Sequence, residues 1–175
     1  MKGKYLISGM AIFLVVFTAA LWWAQTRAYY EPVPVDAPAA RILVTTLAGT
    51  PELLPLDDFE GIDAYTSPLR FRGCFTTPLS LAEMDAAYQP YPEATPLGTP
   101  GWFDCFDSET LTAALADGSA RAYLSEANYV YGFDRVILVT ETGQGYAWHQ
   151  TNPCGEAIYE GDPAPEGCPA PPERN

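Results

Sequence analysis

A single histidine, His149, is available for acid–base chemistry in this chain of 175 residues. It lies five positions before Cys154 and beside Trp148. A cysteine next to a histidine can act as an activated nucleophile, and a histidine paired with a carboxylate can transfer protons. A lone histidine cannot form a zinc site without further ligands. His149 is therefore the candidate catalytic residue, although the sequence favours a structural role for it.

Two arginines form a candidate anion site. Arg70 and Arg72 alternate with apolar residues, so they share one face of a predicted strand with Cys74. Two guanidinium groups at this spacing could bind a carboxylate or a phosphate, whereas the alternative is that they only form weak surface ion pairs. Trp102 and Trp148 are further candidate ligand-binding residues, because tryptophan is frequent in binding hot spots. The alternative for Trp102 is packing around a disulfide.

Four carboxylates crowd around Gly61 and raise the question of a calcium site. The EF-hand pattern fails, because Leu56 and Ser67 occupy the first and last ligand positions of such a loop. The sequence favours a solvated acidic turn over an irregular calcium site. No nucleotide-binding loop, C-x-x-C or G-x-S-x-G motif occurs, so we predict no cofactor. The calcium candidates are Asp57, Asp58, Glu60 and Asp63.

The four cysteines predict a disulfide framework. An even number of cysteines in an exported domain is typical of two disulfides, which can be paired in three ways. We favour the pairs that are nearest in sequence, although spacing alone leaves the other pairings open. These pairs are Cys74 with Cys105 and Cys154 with Cys168.

The N-terminal segment predicts a transmembrane helix. From Tyr5 to Trp23 the chain carries no charged side chain, and this helix would span about 28 Å, close to the thickness of a bilayer core. We expect an uncleaved anchor, because the apolar run is longer than that of a signal peptide and ends in two tryptophans suited to the membrane interface. A cleaved signal peptide is the alternative, and its best cleavage-like site ends at Ala28.

The charges predict orientation and exclude nucleic acid as a partner. Lys2 and Lys4 precede the span, so residues 1–4 should be cytoplasmic and the chain from about residue 28 should lie outside. Residues 24–40 are proline-rich and predict a semi-rigid spacer. Beyond residue 30, six arginines and no lysine against 22 acidic residues give a formal charge of −16. Such a surface repels nucleic acid. The favoured interpretation is that the negative charge keeps the domain soluble, and the alternative is that it forms an acidic docking face for a basic partner.

The hydrophobic pattern predicts one α+β domain over residues 41–162 with an antiparallel sheet, two short helices and two disulfides. Ser80 and Glu83 have capping-box spacing in a helix opened by Thr77 and Pro78, and Asp107 caps a second helix that ends at Gly118. A proline-rich tail follows over residues 163–175. The predicted strands cover residues 41–47, 69–76, 120–124, 135–140 and 146–150.

The chain resembles a family of uncharacterised single-span membrane proteins of alphaproteobacteria that carry a domain of unknown function. The resemblance would cover nearly the whole chain and implies a bacterial inner-membrane protein with a periplasmic domain. It implies no activity, substrate or catalytic residue. It rests on the sequences of residues 29–32, 67–72, 74–78, 101–107, 132–136, 147–150 and 164–169.

These observations lead to three functional hypotheses. The favoured one is a membrane-anchored envelope protein that binds or supports a protein partner without catalysis. The first alternative is an envelope enzyme that uses His149 with a carboxylate or a free cysteine. The second alternative is an input component of a signalling complex without kinase activity of its own, because the predicted cytoplasmic segment is only residues 1–4.

Overall fold

The computed structural model describes residues 2–172 and divides the chain into an N-terminal unit, residues 1–30, and a second unit, residues 31–175. The N-terminal unit is the helix α1, Lys2–Trp23, followed by a short π-helical segment, Ala24–Ala28. Gly3–Ala28 is long and apolar enough to cross a membrane, with a mean hydropathy of 2.1 over its most apolar part. The length and composition of this helix agree with the predicted span, and a signal sequence would meet the same two criteria.

The second unit is built on a six-stranded antiparallel sheet with the strand order β1-β4-β5-β8-β7-β6. Strand β8 lies inside the sheet between β5 and β7, and both β7 and β8 are buried over most of their length, as expected for strands covered on both sides. A separate two-stranded sheet pairs β2 with β3. The strands are β1 (Glu31–Pro32), β2 (Leu43–Thr45), β3 (Pro51–Leu53), β4 (Asp57–Asp63), β5 (Arg72–Thr76), β6 (Ala120–Val130), β7 (Phe133–Thr140) and β8 (Gln144–Thr151).

The main core lies between one face of the six-stranded sheet, the β2–β3 hairpin and the helix α2, Leu81–Ala87. Phe75 and Ile137 from the sheet, together with Phe71 just before β5, pack there with Met84 of the helix, and all four are at most 2% exposed. Ser80 caps α2 with both hydrogen bonds of a capping box. The predicted motif is confirmed, but the helix begins at Leu81 rather than at Thr77 and Pro78.

Residues 89–106 and the helix α3, Ser108–Asp117, are joined to the opposite face of the sheet by the disulfide between Cys74 and Cys105. Asp107 caps α3 as predicted, and Gly118 ends it in the left-handed conformation that glycine adopts most easily. A further helix, α4 (Pro153–Glu160), follows β8.

The predicted α+β class is confirmed, but five local assignments differ. Residues 57–63 form the strand β4 instead of an acidic turn, because Gly61 and Ile62 are buried beside β5. The carboxylates of Asp57, Asp58 and Glu60 are exposed. Residues 68–70 form a 3-10 turn, so β5 begins only at Arg72. Strand β6 extends to Val130, six residues beyond the predicted end, and α4 was not anticipated. Part of the predicted spacer, Glu31–Pro32, pairs with β4 in the sheet.

Candidate functional site

His149 lies inside the domain with both ring nitrogens engaged. It is 2% exposed; its Nδ1 is 2.7 Å from the carbonyl oxygen of Pro68, and its Nε2 accepts a hydrogen bond from Nε of Arg135 at 3.0 Å. Because the arginine donates to Nε2, the ring proton belongs on Nδ1 and is donated to Pro68. Burial, followed by the charge of Arg135, lowers the pKa of His149 to about 3, so the imidazole is neutral at physiological pH.

Arg135 is held between two aromatic rings beside His149. Its guanidinium carbon lies 4.5 Å from the ring centre of Phe71 and 4.0 Å from that of Tyr129, and the residue is 1% exposed. Nη1 is 3.7 Å from a carboxylate oxygen of Glu126. The His149 ring also stacks on Phe71 at 4.9 Å. Cation–π contacts, the hydrogen bond to His149 and the nearby carboxylate of Glu126 stabilise the buried cation, which favours a structural role.

Arg72, one of the two arginines of the predicted anion site, is hydrogen-bonded to four backbone carbonyls. Its guanidinium donates to the carbonyl oxygens of Leu69, Phe71, Leu97 and Gly98 at distances from 2.6 to 3.1 Å. Arg72 is 4% exposed, so it fastens the loop around residues 97–98 to β5 rather than facing solvent. Arg70 is half-buried in the preceding 3-10 turn. The anion-binding role remains a prediction, while the contacts of Arg72 favour a scaffold role.

The two candidate tryptophans lie in different environments. Trp148 is fully buried on β8, donates from Nε1 to the side-chain oxygen of Gln150 at 3.1 Å and packs edge-on against Phe106. Trp102 is half-buried and contacts Phe103 edge-on at 6.3 Å between ring centres. Trp148 therefore has the contacts of a core residue, and Trp102 keeps part of its surface exposed.

The four calcium candidates lie along β4. Asp57, Asp58 and Glu60 are exposed, and Asp63 is half-buried and accepts a hydrogen bond from the backbone N–H of Ala64. Burial raises the pKa of Asp63, partly offset by that hydrogen bond. Within residues 2–172, no three or more acidic, histidine or cysteine side chains converge as a metal site.

Both disulfides are formed with the favoured pairing. Cys74 bonds to Cys105 and Cys154 bonds to Cys168, with Cα–Cα distances of 6.3 and 5.7 Å. All four cysteines are within the described residues, and none of them is free. This removes the thiol that one version of the enzyme hypothesis required, and His149 contacts neither a cysteine nor a carboxylate through its ring nitrogens.

A groove that the sequence did not predict lies at the end of the sheet where β6 turns into β7. Its volume is about 770 Å³, within the usual range for ligand-binding clefts. We call it the C-terminal groove and define it by the residues Val130, Tyr131, Phe133, Gly155, Ile158, Tyr159, Gly161, Asp162, Pro171 and Pro172.

Helix α4 can form one wall of the C-terminal groove because two glycines let it approach the β6–β7 turn. A Cβ atom on Gly155 would lie 2.2 Å from the carbonyl oxygen of Gly132, so no larger side chain fits there. Asn152 caps α4, and its backbone N–H donates to Gly132 at 3.0 Å. Asn152 also donates to the buried carboxylate of Asp134 at 2.6 Å. These contacts fix α4 against the end of the sheet.

The C-terminal groove exposes apolar side chains that have no covering element in the described part of the chain. Tyr159, Ile158 and Val130 are 71%, 48% and 46% exposed. The Cys154–Cys168 disulfide ties the proline-rich tail to α4, and Pro171 and Pro172 of that tail line the groove. The sequence shows the proline-rich composition of the tail, but it does not show that the tail and α4 meet around one groove.

Residues 42–169 match the model of a family of unknown function, DUF6446. The match covers more than half of the chain, so the protein belongs to this family. No curated protein and no solved structure matches the chain.

Proposed function

We propose that this member of the DUF6446 family is a membrane-anchored, non-enzymatic binding module of the bacterial envelope that presents the C-terminal groove to a protein partner. In this proposal Tyr5 to Trp23 span the inner membrane, the N-terminus is cytoplasmic and the domain is periplasmic. The apolar helix and the two disulfides fit an anchored extracytoplasmic domain, since disulfides persist in oxidising compartments.

The observation that carries the proposal is the exposed apolar lining of the C-terminal groove. Isolated apolar side chains on a surface need no explanation, whereas a grouped set with a concave shape is typical of an interaction site. Ile158 and Tyr159 are adjacent on α4, and Tyr159 also contacts Phe133 edge-on at 6.2 Å between ring centres. A partner side chain inserted there would bury tyrosine and isoleucine surface, the kind of contact that dominates binding energy.

The contacts of the reactive residues support binding over catalysis. His149 is neutral, buried and hydrogen-bonded at both ring nitrogens, and the cysteines are all in disulfides. An acid–base catalyst needs access to a substrate proton. A buried imidazole whose two nitrogens already have partners offers no such access. The enzyme hypothesis is therefore the less supported of the two.

Site-specific photo-crosslinking in intact membranes tests the proposal. A photoreactive phenylalanine analogue replaces Tyr159 in the full chain, and the matched control replaces Tyr65, which is 86% exposed but lies in the turn after β4, outside the groove. The expected result is one discrete adduct from position 159, identified as the same protein in repeated preparations, and none from position 65.

A second substitution makes the crosslinking result specific. Adding Ile158→Asp to the Tyr159 probe should abolish the adduct, whereas adding Leu47→Asp, at a 57% exposed leucine between β2 and β3, should leave it unchanged. The absence of any adduct from position 159, or identical adducts from both probe positions, would reject the groove as the binding site.

A further inference from the structure

We infer that the partner segment that the C-terminal groove accepts is cationic as well as apolar: a peptide stretch in which lysine or arginine flanks an aliphatic or aromatic anchor. This inference rests on the proposed function, because it names the partner chemistry of the same groove. Its support is the distribution of charge around an apolar lining.

The groove lining, as far as the described residues show it, contains one charged residue, and that residue is acidic. Asp162 lines the groove, and three further carboxylates lie on exposed residues of α4 and the tail. From residue 136 to residue 172 the chain contains no lysine or arginine, so no basic side chain from these segments can pair with them. An acidic side chain beside an apolar lining, in a chain whose formal net charge is −13, favours a partner of opposite charge and repels an anionic one. These three carboxylates belong to Glu156, Glu160 and Glu166; they lie outside the groove lining, and Glu156 lines a separate pocket with Tyr91 and Gln150.

The apolar lining supplies the anchor for such a segment. Ile158 and Tyr159 are exposed on one side, and Pro171 and Pro172 form the other side. The hydroxyl oxygen of Tyr131, which also lines the groove, is buried and has no hydrogen-bond partner within residues 2–172. Because this atom is inaccessible to solvent, a peptide in the groove would contact only the exposed part of the Tyr131 side chain.

The groove volume and the tail define the size of the segment. A volume of about 770 Å³ accommodates the side chains of a short segment rather than a folded domain. The Cys154–Cys168 disulfide ties the tail to α4. The wall formed by Pro171 and Pro172 of the tail is therefore held near α4 before a partner binds. Preorganised walls lower the entropy lost on association, which suits recognition of a short segment.

A peptide titration with charge-matched variants tests the inference. The probe is a fluorescein-labelled octapeptide of alternating lysine and leucine, titrated by anisotropy into the full chain in zwitterionic nanodiscs, with empty nanodiscs as the blank. Two comparison peptides replace every lysine by glutamate or every leucine by serine. We expect binding of the first peptide and at least about tenfold weaker binding of both comparison peptides, because charge and anchor are both required.

Variants of the protein separate the groove from the general negative charge. Asp162→Lys should weaken binding about threefold or more, while Glu141→Lys, in the turn between β7 and β8, changes the net charge equally and should have no effect. Ile158→Asp should weaken binding about tenfold, and Tyr159→Ser provides a second groove variant. Since both positions are exposed, these proteins should keep the wild-type melting temperature.

Each remaining outcome overturns a defined part of the inference. Equal losses for Asp162→Lys and Glu141→Lys would show that the peptide responds only to net charge. Equal binding of the lysine and glutamate peptides would show an apolar groove without charge selection. If the Tyr159 crosslink forms in membranes and Asp162→Lys leaves it unchanged, the proposed function stands and the cationic partner is rejected. Loss of both the crosslink and the peptide binding would reject both.

Discussion

The buried, neutral state of His149 makes the stability of the domain depend on pH in a way that can be calculated. The pKa of His149 is lowered from 6.5 to about 3 in the folded state, mainly by burial. The unfolded chain therefore binds one more proton than the folded chain between these pH values. Stability from this group is fully present above pH 6.5 and is lost as the pH falls through this window.

The magnitude follows from the linkage relation. Each pH unit inside the window changes the free energy of unfolding by about 1.4 kcal/mol, and the curvature near the unfolded pKa reduces the total. Between pH 7 and pH 5, His149 alone should destabilise the domain by about 2 kcal/mol. Folded proteins have a free energy of unfolding of roughly 5–15 kcal/mol, so this change is a large share of the total.

The assay compares the wild-type chain with His149→Gln by urea unfolding in detergent micelles at pH 7, 6 and 5. Near-ultraviolet circular dichroism reports the burial of Trp148, which is fully buried next to His149 on β8. Glutamine cannot titrate, so the stability advantage of the wild type over the variant should shrink by about 2 kcal/mol from pH 7 to pH 5. The raised pKa of Asp63 acts in the opposite direction but is common to both proteins.

A constant difference between the two proteins over this pH range would refute the argument. It would mean that His149 binds a proton as readily in the folded chain as in the unfolded chain, which is incompatible with donation from Arg135 to its Nε2. The reading of the histidine as a structural, neutral side chain would then be wrong.

Two further predictions concern the scaffold, and both are checked by urea unfolding. Arg72→Met should lower the free energy of unfolding by about 3 kcal/mol or more, because several backbone carbonyls lose their donor. The control, Arg121→Met, removes a largely exposed ion pair and should lower it by less than about 1 kcal/mol. Equal effects of the two substitutions would contradict the anchoring role of Arg72. Gly145→Ala should lower the free energy of unfolding by about 1–3 kcal/mol, because the added Cβ would lie 2.0 Å from the ring of Phe75. Gly98→Ala is the control, because there is open space around Gly98. A Gly145→Ala protein as stable as the wild type would show that the ring is not packed on this glycine.

Local signals in the sequence predicted much of the fold. Helices α2 and α3 were found from capping side chains, because the Ser80 and Asp107 caps act on backbone groups only two or three residues away. The disulfides were paired correctly from proximity along the chain. Strand β7 was recognised because its continuous apolar run is typical of a central strand.

The misassigned elements are those in which the local signal conflicts with the tertiary contacts. Strand β4 carries four carboxylates and reads as an acidic turn, yet Gly61 pairs directly with Gly73 of β5 and is buried there. Helix α4 has the local signals of a helix, with Asn152 as its cap and Pro153 in the first turn, but the proline and glycine content of the region hid them. Longer-range contacts decided both cases.

The candidate sites were harder to predict because they depend on register between distant segments. Arg135 and His149 are opposite each other on β7 and β8, and this pairing brings the guanidinium to the imidazole. A shift of one residue would place them on opposite faces of the sheet. The C-terminal groove likewise needs the β6–β7 turn, α4 and the tail held by Cys168, and no single stretch of sequence contains it.

The burial of arginines connects the scaffold to the proposed recognition of a cationic partner. Arg72 and Arg135 are 4% and 1% exposed, so their positive charges lie inside the domain and are bound by carbonyl groups, aromatic rings and His149. Arg121 is paired with Asp85 at the surface. The exposed surface is therefore more acidic than the composition alone indicates, and no lysine or arginine of the described residues lines the groove. If this field guides the partner, its association rate should fall steeply as the salt concentration rises, while its dissociation rate, determined by the contacts with Ile158 and Tyr159, should change little.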